Sequence, residues 1–121
     1  MREIKLRAWD EELKRMFYGT TEQFDDSLSF RFKHFETDEP VYMQYTGLCD
    51  KNDREIYEGN ILEAEHKLNT QKFMRKYQVI FNERGYWDAI SLDDKPVRLC
   101  YAGFDKCKAI GNIYENPELV K

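Results

Sequence analysis

Tyr45-Thr46-Gly47-Leu48-Cys49-Asp50-Lys51-Asn52-Asp53-Arg54-Glu55-Ile56-Tyr57-Glu58-Gly59-Asn60-Ile61-Leu62 is the stretch whose reading decides the fold. It reads as a strand, a turn and a second strand interrupted by a glycine. The turn region, Gly47 to Arg54, concentrates Asp, Asn and Lys, and Asp and Asn accept left-handed backbone and bond their own main chain. Ile56 and Tyr57 restart the extended chain, and Gly59-Asn60 interrupts it as a bulge or a tight bend around a barrel corner. Gly47, Asp50, Asn52 and Gly59, with Gly111 further on, are therefore assigned structural roles in turns and bulges.

Upstream, Ile4, Leu6 and Ala8 alternate with Lys5, Arg7 and Trp9, the period-two pattern of a half-buried strand. Met16-Phe17-Tyr18 returns after a polar turn, predicting an N-terminal β-hairpin that ends at Gly19-Thr20-Thr21. Leu28, Phe30 and Phe32 alternate with Ser29, Arg31 and Lys33 as a further strand. The polar loop from Glu36 ends at Pro40, which cannot donate to a ladder, so Val41, Met43 and Tyr45 begin the strand that enters the opening stretch.

Downstream, Lys67 to Gln71 is predicted as a loop, and Tyr77, Val79 and Phe81 mark the next strand. Asn82-Glu83-Arg84-Gly85 is a hairpin-like turn, and Tyr86 to Leu92 returns with Trp87 and Ala89 opposite Tyr86, Asp88 and Ile90. Val97 to Phe104 fits either a strand or a short helical segment. Lys108 to Tyr114 reads as a last strand, and Asn116 to Leu119 as a turn into a short helical turn. The predicted architecture is mostly β, a β-rich α+β chain. It is a small, strongly bent SH3-like barrel with an N-terminal β-hairpin lobe and little helix. Residues 1–40 form the lobe, packed on a barrel-like core of 41–121, the two folding as one cooperative domain.

Composition agrees with a self-sufficient core. A chain of 121 residues buries roughly two-thirds of its unfolded surface without a metal or disulfide staple. Eight Phe, eight Tyr and two Trp supply bulk for that core. The charged fraction of 35% exceeds the usual value of about 25%, and no apolar run reaches the length of a membrane span. The N-terminus carries no apolar signal core, so the expected location is the cytoplasm. Cys49, Cys100 and Cys107 are odd in number and lack a C-x-x-C pair, so they read as reduced thiols, with neither a disulfide framework nor a zinc site.

Three blocks resemble the YopX family of phage and prophage proteins, whose molecular function is unknown. The first is Arg2 to Asp10 with the Met16-Phe17-Tyr18 return. The second runs from Met43-Gln44-Tyr45-Thr46-Gly47-Leu48 through Asp50-Lys51-Asn52 to Glu55-Ile56-Tyr57-Glu58-Gly59. The third is Ile110-Gly111-Asn112-Ile113-Tyr114-Glu115-Asn116-Pro117-Glu118-Leu119. The sequence departs from the family pattern at Asp53, usually glycine, and at Asn60, usually aspartate. A glycine suits a turn needing positive φ, so Asp53 leaves the turn type open. The resemblance implies a β-rich fold, a phage context and a bacterial host cell, and it implies no substrate and no catalytic residue.

Candidate chemistry is sparse. A calcium-loop reading from Asp50 fails at its fifth, sixth and twelfth positions, where Arg54, Glu55 and Ile61 stand. Glu55, Glu58 and Glu63 invite a general acid–base reading, but carboxylates that guard a sheet edge account for them as well. His34 and His66 sit in polar segments and match no nucleophile–base spacing with a cysteine. The one local charge asymmetry lies at 66–76. There Lys67, Lys72, Arg75 and Lys76 interleave with Phe73 and Tyr77, a composition that single-strand nucleic-acid sites use for stacking and phosphate contact. The whole chain carries −4, so removing these four positive charges leaves about −8 elsewhere, which repels a polyanion.

Three functional classes follow. The first is a non-enzymatic accessory protein, without cofactor, that binds a protein partner or assembles with itself as a homo-oligomer. The alternative is a single-stranded nucleic-acid binder contacting its ligand through Lys67, Lys72, Phe73, Arg75 and Lys76. An enzyme ranks third, because it requires a carboxylate, a histidine and a thiol to meet in one cleft. No membrane partner is expected.

Overall fold

A computed structural model describes residues 5–20, 40–82, 84–92 and 98–120. Among these residues nine strands follow in order: β1 Lys5–Asp10, β2 Arg15–Thr20, β3 Val41–Cys49, β4 Glu55–Tyr57, β5 Asn60–Leu68, β6 Gln71–Phe81, β7 Trp87–Ser91, β8 Arg98–Cys100 and β9 Lys108–Asn112. The helical content of the described residues is two short 3-10 helices, Tyr101–Lys106 and Pro117–Val120. The mostly-β reading holds. The chain divides into two units, residues 1–45 and 46–121, with the division inside β3.

In the first unit β1 and β2 form the expected antiparallel hairpin, with Ala8 opposite Phe17 and Asp10 opposite Arg15. Asp10 Oδ1 closes its turn by accepting the N–H groups of Glu12 and Leu13 at 3.0 and 3.1 Å. The other edge of β1 pairs with the start of β3, from Leu6 opposite Gln44 to Trp9 opposite Val41. Period two predicts a half-buried β1, but Arg7, Ala8 and Trp9 are all buried. Alternation reports side-chain chemistry, and Arg7, buried with its Nε, breaks the link between polarity and exposure. The strand read at Leu28, Phe30 and Phe32 lies outside the described residues.

The second unit holds a five-stranded antiparallel sheet, order β8-β7-β6-β5-β9, strongly curled into a half-barrel. Its core is Ile56, Leu62, Ala64, Tyr77, Val79, Ala89, Phe104, Cys107 and Ala109, with Leu48, Trp87 and Leu99 packed against it. Residues 98–104 resolve the open alternative in succession, as β8 followed by the 3-10 helix that carries Phe104 into the core.

The decisive stretch is held by two side chains. Asp50 is 4% exposed. Its Oδ1 accepts the N–H groups of Asn52 and Arg54 at 2.8 and 2.9 Å, and its Oδ2 accepts that of Ala109, on β9, at 2.8 Å. Burial opposes its charge, but these three backbone donors and the Arg54 guanidinium outweigh that and hold the carboxyl below the usual aspartate range. Asn60, also buried, accepts the N–H of Tyr57 at 2.7 Å and donates to the carbonyl of Gly111 at 2.9 Å. An aspartate there lacks that second donor. The two turns at 50–54 and 57–60 thus fasten β4, β5 and β9 together.

Turn chemistry follows. Asp53 adopts φ of 63° and takes the left-handed position that a glycine fills more easily. Gly59 adopts φ of 86° in a tight turn between β4 and β5. The bulge lies further on, where β9 shifts register against Ile61 and Leu62. Gly111 sits there because a Cβ would collide with the Asn116 side chain. Gly47 remains inside β3, and Asn52 serves as a backbone donor to Asp50.

Candidate interaction ribbon

The loop predicted at Lys67 to Gln71 is instead a hairpin: β5 continues to Leu68, β6 starts at Gln71, and only Asn69-Thr70 lies between. Asn69 supplies the left-handed conformation such a tight connection needs, at φ of 59°. The pairing of β5 with β9 ends at Glu63 opposite Lys108, and that of β6 with β7 ends at Tyr77 opposite Ser91. Beyond those points β5 and β6 have only each other as neighbours among the described strands, down to Leu68 opposite Gln71. At about 3.3 Å per residue the free part extends about 15 Å past the sheet. The polar sequence misleads here because a ribbon wet on both faces has no apolar alternation to display.

Register sorts the side chains onto two faces. One face carries Ala64 with Arg75, His66 with Phe73, and Leu68 with Gln71. There His66 stacks on Phe73 at 5.4 Å between centroids, and its Nε2 shares a hydrogen bond of 2.9 Å with the hydroxyl of buried Tyr77. The Arg75 guanidinium lies 5.5 Å from the Phe73 ring. The opposite face pairs Glu63 with Lys76, Glu65 with Met74, and Lys67 with Lys72, and Lys72 approaches Glu65 at 3.9 Å. Exposed on the ribbon are Leu68 at 67%, Met74 at 53% and Phe73 at 39%.

The five residues singled out from sequence thus share one element but not one surface. Phe73 and Arg75 lie on the stacked face, and Lys67, Lys72 and Lys76 on the other, where Glu63 and Glu65 offset part of their charge. Sequence reasoning missed Leu68, Met74 and the place of His66 in the stack. The available signal was a run from Ile61 to Phe81 free of glycine and proline. The ribbon's chemistry is that of an edge: outer backbone groups of residues 64–68 and 71–75 with no neighbouring strand among the described residues, and apolar side chains in water.

The carboxylates read as an acid–base group are spread over three elements. Glu55 lies on β4 within 3.4 Å of the Tyr57 hydroxyl, Glu58 in the following turn, and Glu63 on β5 opposite Lys76. Among the described residues no three His, Cys, Asp or Glu side chains come together as a metal site. Cys107 is buried, and desolvation, with Asp105 and Asp50 nearby, pushes its thiol up to about 11, far from a reactive thiolate. His34 lies outside the described residues. No described helix is long and apolar enough to cross a membrane.

The family model described as "YopX protein" matches residues 5–121. The crystal structure of protein EF1440 from Enterococcus faecalis superposes with a TM-score of 0.60 at 25% identity, over 98% of each chain. No curated protein matches the sequence.

Proposed function

The chain belongs to the YopX family, and we propose that it is a phage- or prophage-encoded accessory protein, a non-enzymatic binding module that assembles with copies of itself through the β5–β6 ribbon. The observation that carries this reading is the projection of a two-stranded ribbon with Leu68, Phe73 and Met74 in water. Holding three large apolar side chains on an extension outside the core gains nothing for a lone chain, whereas a second copy that covers them recovers about 25 cal/mol per Å² of apolar surface. Charge favours a second copy as the occupant. Residues 63–76 carry +2, and the rest of the chain carries −6, so the ribbon of one molecule is drawn to the body of another.

Light scattering tests the proposal. The wild type is expected to run above its monomer mass of 14.6 kDa, and a Leu68→Glu/Phe73→Glu variant to run as a monomer that keeps its β-sheet circular dichroism and a cooperative melt. A strictly monomeric wild type that captures nothing from host lysate overturns it.

The His66–Phe73 stack beside Arg75 supports a second reading, binding of single-stranded nucleic acid. That reading predicts salt-sensitive binding of single-stranded DNA or RNA that Lys72→Glu, Arg75→Glu and Lys76→Glu abolish. Absence of binding at low salt eliminates it.

A further inference from the structure

A cleft of about 500 Å³, lined by Ile80, Phe81, Asn82, Arg84 and Arg98, lies where β6 turns into β7. The turn is closed by the Asn82 N–H to the Tyr86 carbonyl at 2.9 Å and the Gly85 N–H to the Asn82 carbonyl at 3.0 Å. Behind the lining sits Asp88, 1% exposed, directly across from Ile80 and Cys100 in the sheet. Alternation set it opposite Ala89, which predicts a solvent face, yet both are buried.

Asp88 spends only one of its oxygens. Oδ2 accepts Asn82 Nδ2 at 2.8 Å and faces Arg98 Nε at 3.3 Å. Oδ1 is buried with no hydrogen-bond donor. A buried carboxylate oxygen without a donor is a rare and costly feature. Asp88 fixes Arg98 through Nε alone, and among the described residues the terminal nitrogens of Arg98 engage no acceptor. Arg84 is anchored to the same network through its backbone N–H, which donates to Asn82 Oδ1 at 2.6 Å. Its exposed side chain meets no carboxylate among the described residues. The third wall is aromatic: Phe81, 52% exposed, packs on Trp87 with centroids 4.8 Å apart.

We propose that this cleft binds a small 5′-mononucleotide. Two guanidinium groups whose terminal nitrogens meet no carboxylate among the described residues suit a phosphate, which forked N–H groups recognise better than a point charge does. The exposed face of Phe81 suits a planar base, which stacks without regard to sequence. The volume lies in the range of small-molecule sites, and the described lining residues all come from residues 80–98. The site is therefore independent of the ribbon, and its test does not depend on self-assembly.

The test is calorimetric titration of the whole protein with AMP, GMP, CMP and UMP, with the parent nucleosides and inorganic phosphate as references. At least one mononucleotide is expected to bind at least tenfold more tightly than its nucleoside and than phosphate. Arg84→Ala and Phe81→Ala are each expected to weaken it at least fivefold, with melting temperatures unchanged. The Leu68→Glu/Phe73→Glu variant is expected to bind as the wild type does, which separates this site from nucleic-acid binding on the ribbon. Mononucleotide binding no tighter than phosphate, or a folded Arg84→Ala protein that binds as the wild type does, overturns the proposal. Arg84 is exposed, so its variant carries the test should Phe81→Ala fail to fold.

Discussion

Asp50→Ala is expected to destabilise the protein by about 4 kcal/mol, since each buried donor left without its acceptor costs about 1–3 kcal/mol. The side chain serves the N–H groups of Asn52, Arg54 and Ala109, and that of Ala109 is fully buried. At about 4 °C per kcal/mol for a chain of this size, the melting temperature falls by about 15 °C. Asp50→Asn retains an oxygen for the Asn52 and Arg54 donors but turns an amide N–H₂ toward Ala109, so it also destabilises, by about 2 kcal/mol. The two proteins respond differently to acid. The Asp50 carboxyl titrates lower when folded than when unfolded. Its stabilisation is therefore full above the unfolded value, near pH 4, and is lost as pH falls through the folded one. Thermal melts from pH 7 to pH 2 are expected to show the wild type and Asp50→Asn converging as the pH falls. A constant gap across that range contradicts the assignment.

Gly59→Val is expected to cost about 3 kcal/mol, because a β-branched residue at φ of 86° is a steric outlier and such strain costs on the order of 1–3 kcal/mol before crowding is counted. Gly59 is buried, and both of its backbone groups are in use. Its N–H donates to the Val79 carbonyl at 2.9 Å and its carbonyl accepts the Ile113 N–H at 3.0 Å. The chain cannot relax φ without breaking a tie to β6 or to the segment after β9. Gly59→Asn, which tolerates the left-handed region, is expected to lose less than half as much. Chemical denaturation of the three proteins checks this order. A valine variant as stable as the wild type refutes the role of this turn in setting sheet register.

These two residues belong to the stretch that was most legible in the sequence. Turn-forming side chains and glycines carry local rules, and Asp50 and Gly59 obey them where the chain must bend. What the sequence does not display is the far partner. Nothing in the spacing reveals that Asp50 closes on Ala109, or that Asn60 reaches Gly111, because those contacts exist only once β9 lies beside β5. The ribbon was illegible for the opposite reason. Its residues face water on both sides, so polarity suggested a loop although cross-strand pairs at 64–75 hold it extended. Of its surface, the basic residues and Phe73 are legible in the sequence, while Leu68 and Met74 are not, because isolated apolar residues in a polar run carry no period. Asp88 shows a third limit. Its burial depends on Asn82 and Arg98 closing over it, one across a turn and the other on a neighbouring strand, and alternation alone places it in solvent.

Amide hydrogen exchange at low and high protein concentration tests the role of the ribbon most directly. If ribbons dock between copies, amides of residues 65–76 gain protection as concentration rises, while the amide of Val79, within the sheet, exchanges slowly throughout. Ribbon amides that exchange equally fast at every concentration contradict self-assembly through β5 and β6.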